Sequence, residues 1–231
     1  MCQRVPILSI HRFRGMLADK TLYIARHAET VFNRAGRLQG NTQHTPLTAN
    51  GMRQAQAMAQ QLKNLLGTQP EIAFWCSPTG RTRQTASAIA DALELDYFSI
   101  EFDDRLREID VGDWVDSRYS DLEHRHGTIL DRSRRLFVQR PRNGEWYDDM
   151  AARLTSWAAE VGQSENAVHL AISHGLASRV LRGALLERDW HADIAAMVAP
   201  DVPQGGLVRL QSGAEQVILP AGSPQSDAGG L

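Results

Sequence analysis

The sequence predicts an α/β fold, a mostly parallel sheet with helices on both faces. Three short apolar runs, residues 22–25, 72–76 and 168–172, have the length and continuity of strands buried on both sides. Each is followed by a segment whose apolar residues recur at helical spacing, and such strand–helix alternation builds a parallel sheet. Just past each run stand residues that carry charge or protons: Arg26 and His27, Ser77 and Arg81, Ser173 and His174. Ligands of these sheets gather beyond the carboxyl ends of the strands, so sequence-distant residues are expected to meet at one rim.

The elements follow in order. After Pro46, Thr48 is a candidate N-cap; Ala55, Ala59, Leu62 and Leu66 share one helix face, and Gly67 supplies a stop. Behind Ser77 and Pro78, the same spacing recurs at Ala86, Ile89, Ala90 and Leu93. Behind His174 it recurs at Leu176, Val180, Leu181 and Leu185. A fourth strand is expected near residues 97–102, and residues 206–210 with 216–219 read as a closing hairpin. Residues 113–148 are different: polar, arginine-rich, with Trp114 and Trp146 near the ends. They read as a helical cap inserted over the domain, after which a long helix over 148–161 leads back to the sheet.

With 231 residues and no Ser/Gly/Pro-rich linker in the middle, the chain reads as one domain over residues 20–220. Residues 1–19 read as a flexible extension and residues 221–231 as a loose tail. A net charge of −2 gives no reason to expect nucleic acid or an anionic membrane as partner. No apolar stretch reaches the length of a membrane span. Two cysteines cannot form a disulfide framework, and the apolar setting of Cys76 fits a free thiol in a reducing, cytoplasmic compartment. Oligomeric state is not legible.

The rim residues point to phosphoryl chemistry. A phosphate monoester carries close to two negative charges at neutral pH. The planar donors of Arg26 and Arg81 can meet them in pairs. His174 adds a donor if protonated, and the N–H groups of the helix behind it favour an anion. His27 is the candidate nucleophile: one imidazole nitrogen attacks phosphorus while the other keeps a proton, held by a backbone carbonyl. The leaving alkoxide needs an acid, and Glu108 is the choice. The arginines favour its carboxylate form until bound phosphate neutralises them; the carboxylate can then activate water in the second step.

Taken together, these fragments resemble the histidine phosphatase superfamily, in its phosphoglycerate-mutase-like branch, over residues 21–210. RHAETVFN resembles the nucleophile loop, with Arg26 and His27 as phosphate arginine and phosphorylated histidine. SPTGRTRQTA matches the second arginine at Arg81, LREIDVGDW the acid at Glu108, and ISHG the second histidine at His174. The resemblance also implies phosphate contacts from Asn33 and Thr30, and from Gln39 and Gly40 in RLQGNTQHTPLTANG. It implies a three-layer α/β/α sandwich and a mechanism without metal or other cofactor. Two positions depart from the family pattern. Ala28 replaces a usual glycine, which is tolerated where φ stays negative. Trp146 stands where a small hydroxyl residue is commoner.

Other motifs read as structural. His124 and His126 are spaced i,i+2, which does not put both rings on one helix face. Arg132, Arg134, Arg135, Arg140 and Arg142 read as a solvated face balanced by acids; a lid for a second anionic group is the minority reading. The expected activity is hydrolysis of a small phosphorylated metabolite through phosphohistidine at His27. A phosphoglycerate mutase and a non-catalytic phospho-ligand binding module are the alternatives. The compactness of the segment between Glu108 and His174 favours hydrolysis, since the mutases carry a longer insertion there.

Overall fold

Strand β1 (Thr21–Arg26) is followed by the one-turn helix α1 (Val31–Arg34), the long helix α2 (Ala49–Leu66), β2 (Ala73–Cys76), α3 (Gly80–Leu93) and the short β3 (Glu101–Phe102). Next come α4 (Tyr119–His126), a small hairpin of β4 (Leu130–Asp131) and β5 (Leu136–Phe137), then α5 (Tyr147–Gln163), β6 (Val168–Ser173) and α6 (Gly175–Leu185). A second small hairpin, β7 (Trp190–His191) with β8 (Ala196–Met197), precedes β9 (Leu207–Gln211) and β10 (Ala214–Ile218). This computed structural model describes residue 17 and residues 19–218. The tail expected at 221–231, nearly all of the extension expected at 1–19, and Leu219 of the closing hairpin lie outside the described residues.

The main sheet has the order β10-β9-β1-β6-β2-β3. β1, β6, β2 and β3 are mutually parallel, and β9 runs antiparallel to β1. The alternation of side chains along a strand assigns each residue to a layer. From β1, Leu22 and Ile24 pack with α5, α6 and residues of 106–137, while Tyr23 and Ala25 pack with α2 and α3. Both faces are covered, which is why these strands read as unbroken apolar runs. The result is the expected three-layer α/β/α arrangement with a mostly parallel sheet.

Local chemistry sets the helix ends. The Thr48 side chain accepts from Gly51 N, and Gly67 closes α2 with φ of 77°. Trp75 and Trp157 meet edge-to-face at 5.9 Å in the core. Burial pushes the free Cys76 thiol up to about 12. The expected strand at 97–102 is mostly a 3-10 turn, Tyr97–Ser99, because the Asp96 side chain accepts from Phe98 N and turns the chain; only Glu101–Phe102 pairs. Residues 113–148 hold α4 and the β4–β5 hairpin rather than helices alone. Trp114 is buried against Phe137 at 5.7 Å, and Trp146 meets Tyr147 edge-to-face at 4.9 Å. Two buried arginines of α6 tie the neighbouring loops down: Arg179 donates to the carbonyls of Arg134, Arg135 and Ala199, and Arg182 to that of Pro200.

Candidate active site

The register of the sheet creates the rim. Arg26 pairs with Ser173 across β1 and β6, and Cys76 with Ile172 across β2 and β6. The three strands therefore end level, and His27, Ser77 and His174 follow side by side. His27 N donates to Ser173 O at 3.0 Å and Ser77 N to Ile172 O at 2.9 Å, so strand-like bonding continues into the first loop residue.

His27 is buried, with Nδ1 2.8 Å from the carbonyl oxygen of Ala28. A carbonyl only accepts, so Nδ1 carries the proton and Nε2 keeps a free lone pair. Burial, then the charges of Arg81 and Arg26, hold the ring well below its ordinary 6.5, against the opposing pull of the Ala28 carbonyl. The imidazole is thus neutral at pH 7 in the tautomer a nucleophile needs. Ala28 keeps a negative φ, so the methyl in place of glycine adds no backbone strain.

Arg26 reaches inward from the end of β1. Its Nη1 donates to Val202 O at 2.8 Å and to Asp201 Oδ1 at 3.2 Å. Its Nε and Nη2 are buried without a hydrogen-bond partner. Two adjacent guanidinium donors left open in this way match the paired oxygens of a phosphate or carboxylate, and a buried unmet donor costs about 1–3 kcal/mol until an anion arrives. Gly175 makes room for this arginine: a Cβ there would lie 3.1 Å from Arg26 Cζ.

Arg81, fully buried at the start of α3, is committed to protein partners. It donates to Gly40 O, Thr42 O, Thr45 Oγ1 and His174 Nδ1. Burial, with Arg26 adding to it and Glu108 opposing, brings it down to about 10, so it stays cationic. Because Arg81 only donates, His174 Nδ1 must accept; the proton sits on Nε2, 2.7 Å from Ser77 Oγ. Burial and the charge of Arg81 hold His174 well below 6.5. In this arrangement His174 is a neutral link between Arg81 and Ser77, not an imidazolium. Its ring lies edge-on to that of His27, with 5.2 Å between centroids.

Glu108 occupies the N-terminus of α6. Oε2 accepts from Leu176 N at 3.1 Å and Oε1 from Ala177 N at 3.0 Å and Ile109 N at 3.0 Å. The helix amides expected to attract the substrate anion thus hold this carboxylate. Arg153 of α5 fixes the loop that carries it, donating to the carbonyls of Arg105, Arg107 and Glu108 while paired with Glu145 at 2.6 Å. No sequence pattern singled out Arg153 or Asp201, since each lies far along the chain from the residues it anchors.

The remaining expected residues divide. Gln39 and Gly40 line a cleft with His27, Arg37, Arg81 and Glu108. Thr30 and Asn33 stand behind that lining in an N-terminal cap around α1, where Thr30 Oγ1 also lies 3.0 Å from Gln39 Oε1. Of the arginine cluster, Arg132 pairs with Glu123, Arg134 with Asp131 and Asp193, Arg135 with Asp201 and Arg140 with Asp149. The balanced reading fits these four, while Arg142 is exposed with no ion pair among the described residues. His126 packs against Trp114. Neither Trp114 nor Trp146 lines the cleft; Tyr119 and Phe137 do so instead.

Comparison with known proteins agrees with this fold. The family model described as histidine phosphatase superfamily (branch 1) matches residues 22–215. The chain is 35% identical over 170 residues to the probable phosphoglycerate mutase GpmB of Erwinia tasmaniensis, covering 71% of this chain and 74% of that protein. It is 27% identical over 205 residues to a Caenorhabditis elegans 6-phosphofructo-2-kinase/fructose-2,6-bisphosphatase, covering 88% of this chain but only 40% of that protein. Among solved structures, a mycobacterial glucosyl-3-phosphoglycerate phosphatase superposes with a TM-score of 0.71 at 24% identity, covering 86% of this chain and 97% of that one. The alpha-ribazole phosphatase of Shigella flexneri does so with a TM-score of 0.66 at 22% identity, covering 87% and 96%. These two structures speak to the fold. The chain is a member of the histidine phosphatase superfamily, branch 1.

Proposed function

We propose that the protein is a metal-independent, cytoplasmic phosphomonoesterase that transfers the phosphoryl group of a small metabolite to His27 and then to water. The observation that carries this reading is the pairing of an open, buried Arg26 Nε and Nη2 with a neutral His27 whose Nε2 is unprotonated. Arg26 receives two phosphoryl oxygens, and Arg81 supplies further positive charge; these guanidiniums take the part a metal ion plays elsewhere. Gln39 and Gly40 border the phosphate, and Thr30, itself bonded to Asn33, braces Gln39. Residues 113–148 act as the cap, through Tyr119 and Phe137.

In the first step His27 Nε2 attacks phosphorus, the bond to the ester oxygen breaks, and Glu108 gives the departing alkoxide a proton. In the second step the Glu108 carboxylate takes a proton from water, whose oxygen forms the new bond to phosphorus as the P–N bond breaks. Glu108 is then protonated for the next cycle.

Hydrolysis of p-nitrophenyl phosphate in EDTA tests the reading: wild-type protein should turn over, His27→Ala should not, and rapid quenching should trap an acid-labile, alkali-resistant phosphoryl group on His27. Equal rates for the two proteins would favour a binding module. A mutase is the second reading, supported by the similarity to a probable phosphoglycerate mutase. Isomerisation of phosphoglycerate dependent on 2,3-bisphosphoglycerate, with negligible hydrolysis, would establish it instead.

A further inference from the structure

We infer that the cleft selects monoesters whose leaving alcohol carries a bulky apolar body, such as a ring, over compact or doubly anionic ones. This rests on the phosphomonoesterase reading and specifies its substrate class. Beyond His27, Arg81, Glu108 and the Gln39–Gly40 loop, the cleft is walled by Leu38, Ile109, Val111, Tyr119, Phe137 and Leu176. These come from separate segments: the loop after α1, the loop after Glu108, the start of α4, β5 and the start of α6. The wall is held in place rather than adjustable. Phe137 N donates to the Tyr147 hydroxyl at 2.7 Å, and its ring packs on Trp114.

The charges point the same way. Past the phosphate end, Arg37 is the cation lining the cleft among the described residues, and its Nη1 already pairs with Asp116 at 2.8 Å. Arg132, Arg134, Arg135 and Arg140 are each bound to acids and none lines the cleft. A second phosphate or a carboxylate on the leaving group would lie against hydrocarbon, where an unpaired charge is costly, or would have to take Arg37 from Asp116. A ring gains contact with the same surface.

Three alkyl esters with similarly basic leaving groups test this: 2-phenylethyl phosphate, glycerol 3-phosphate and 3-phosphoglycerate, with p-nitrophenyl phosphate as the control for phosphatase activity. We expect kcat/KM for 2-phenylethyl phosphate to exceed that for the other two by roughly tenfold or more. Tyr119→Ala should shrink that ratio by about threefold, mainly through KM, and Tyr119→Phe should restore it. If either polar ester matches 2-phenylethyl phosphate while p-nitrophenyl phosphate is hydrolysed, the apolar selection is wrong and the phosphomonoesterase reading stands. If folded protein does not hydrolyse even p-nitrophenyl phosphate, both fall.

Discussion

Asp201 Oδ1 lies 3.2 Å from Arg26 Nη1, so the arginine at the end of β1 is aimed by a carboxylate from the loop before β9. The other oxygen of Asp201 pairs with Arg135 at 2.9 Å, which ties this anchor to the β4–β5 turn. Arg26 is thereby held at Nη1 and open at Nε and Nη2. Asp201→Ala removes the charged half of the anchor and leaves only Val202 O. A charge-assisted bond of this kind contributes about 1.5–3 kcal/mol, so we expect kcat/KM for phosphate esters to fall by roughly tenfold or more. Steady-state kinetics on purified, folded variant checks it.

The open donors also predict ligand-linked stability. Inorganic phosphate at 100 times its Kd should raise unfolding free energy by about 2.7 kcal/mol in the wild type. Arg26→Lys keeps the charge but loses the fork, and should lose most of this increment. Denaturant melts with and without phosphate give the comparison. An undiminished increment in Arg26→Lys would remove Arg26 from the anion site.

Gly175→Ala probes the same guanidinium by crowding. The added methyl would sit 3.1 Å from Arg26 Cζ and 3.2 Å from Nη2, tighter than ordinary contact, and must push the fork aside. We expect a rise in KM of several-fold to roughly tenfold with little change in melting temperature. Kinetics and a thermal melt on one preparation separate the two effects.

For the acid, Glu108→Gln should slow turnover of an alkyl phosphate by about 10²–10⁴. It should slow p-nitrophenyl phosphate much less, because that leaving group needs little protonation. Equal slowing of both esters would contradict the role.

The buried histidines fix the sign of the acid response. His27 and His174 are held well below 6.5 by burial and nearby arginines, so the folded state leaves them neutral while the unfolded chain protonates them below 6.5. The unfolded state then binds more protons, and stability falls as pH drops below 6.5. The slope approaches about 1.4 kcal/mol per pH unit for each histidine until its folded value is reached. Above 6.5 neither contributes a slope. Urea melts at pH 7.5, 6.5 and 5.5 should show this, with a shallower acid slope in His27→Asn.

Much of this protein was legible in the chain because its signals are local. Apolar runs marked β1, β2 and β6, and Thr48 with Gly67 bracketed α2 closely, since caps and breakers act within a turn of themselves. The candidate site residues His27, Arg81, Glu108 and His174 were legible because ligands of such sheets gather at the strand ends and the short loops beyond them, where these residues stand. The strand expected at 97–102 failed on a contest that periodicity does not weigh: Asp96 capping Phe98 N against sheet pairing at an edge. Trp114 and Trp146 mark the ends of the expected cap, yet neither lines the cleft, and Trp114 packs into the core against Phe137.

What the sequence by itself determined was the fold class, the rim and the identity of the groups meeting there, because each depends on spacing and residue type along a short stretch. Tertiary structure alone decided how those groups are wired. Arg26 keeps two donors open while Arg81 spends its own on loop carbonyls and His174; Glu108 takes the α6 amides; Asp201 and Arg153 serve as anchors. Hydrogen-bond partners are chosen among atoms that only folding brings within 3 Å or so, and no pattern in the linear chain encodes which donor will be left without one.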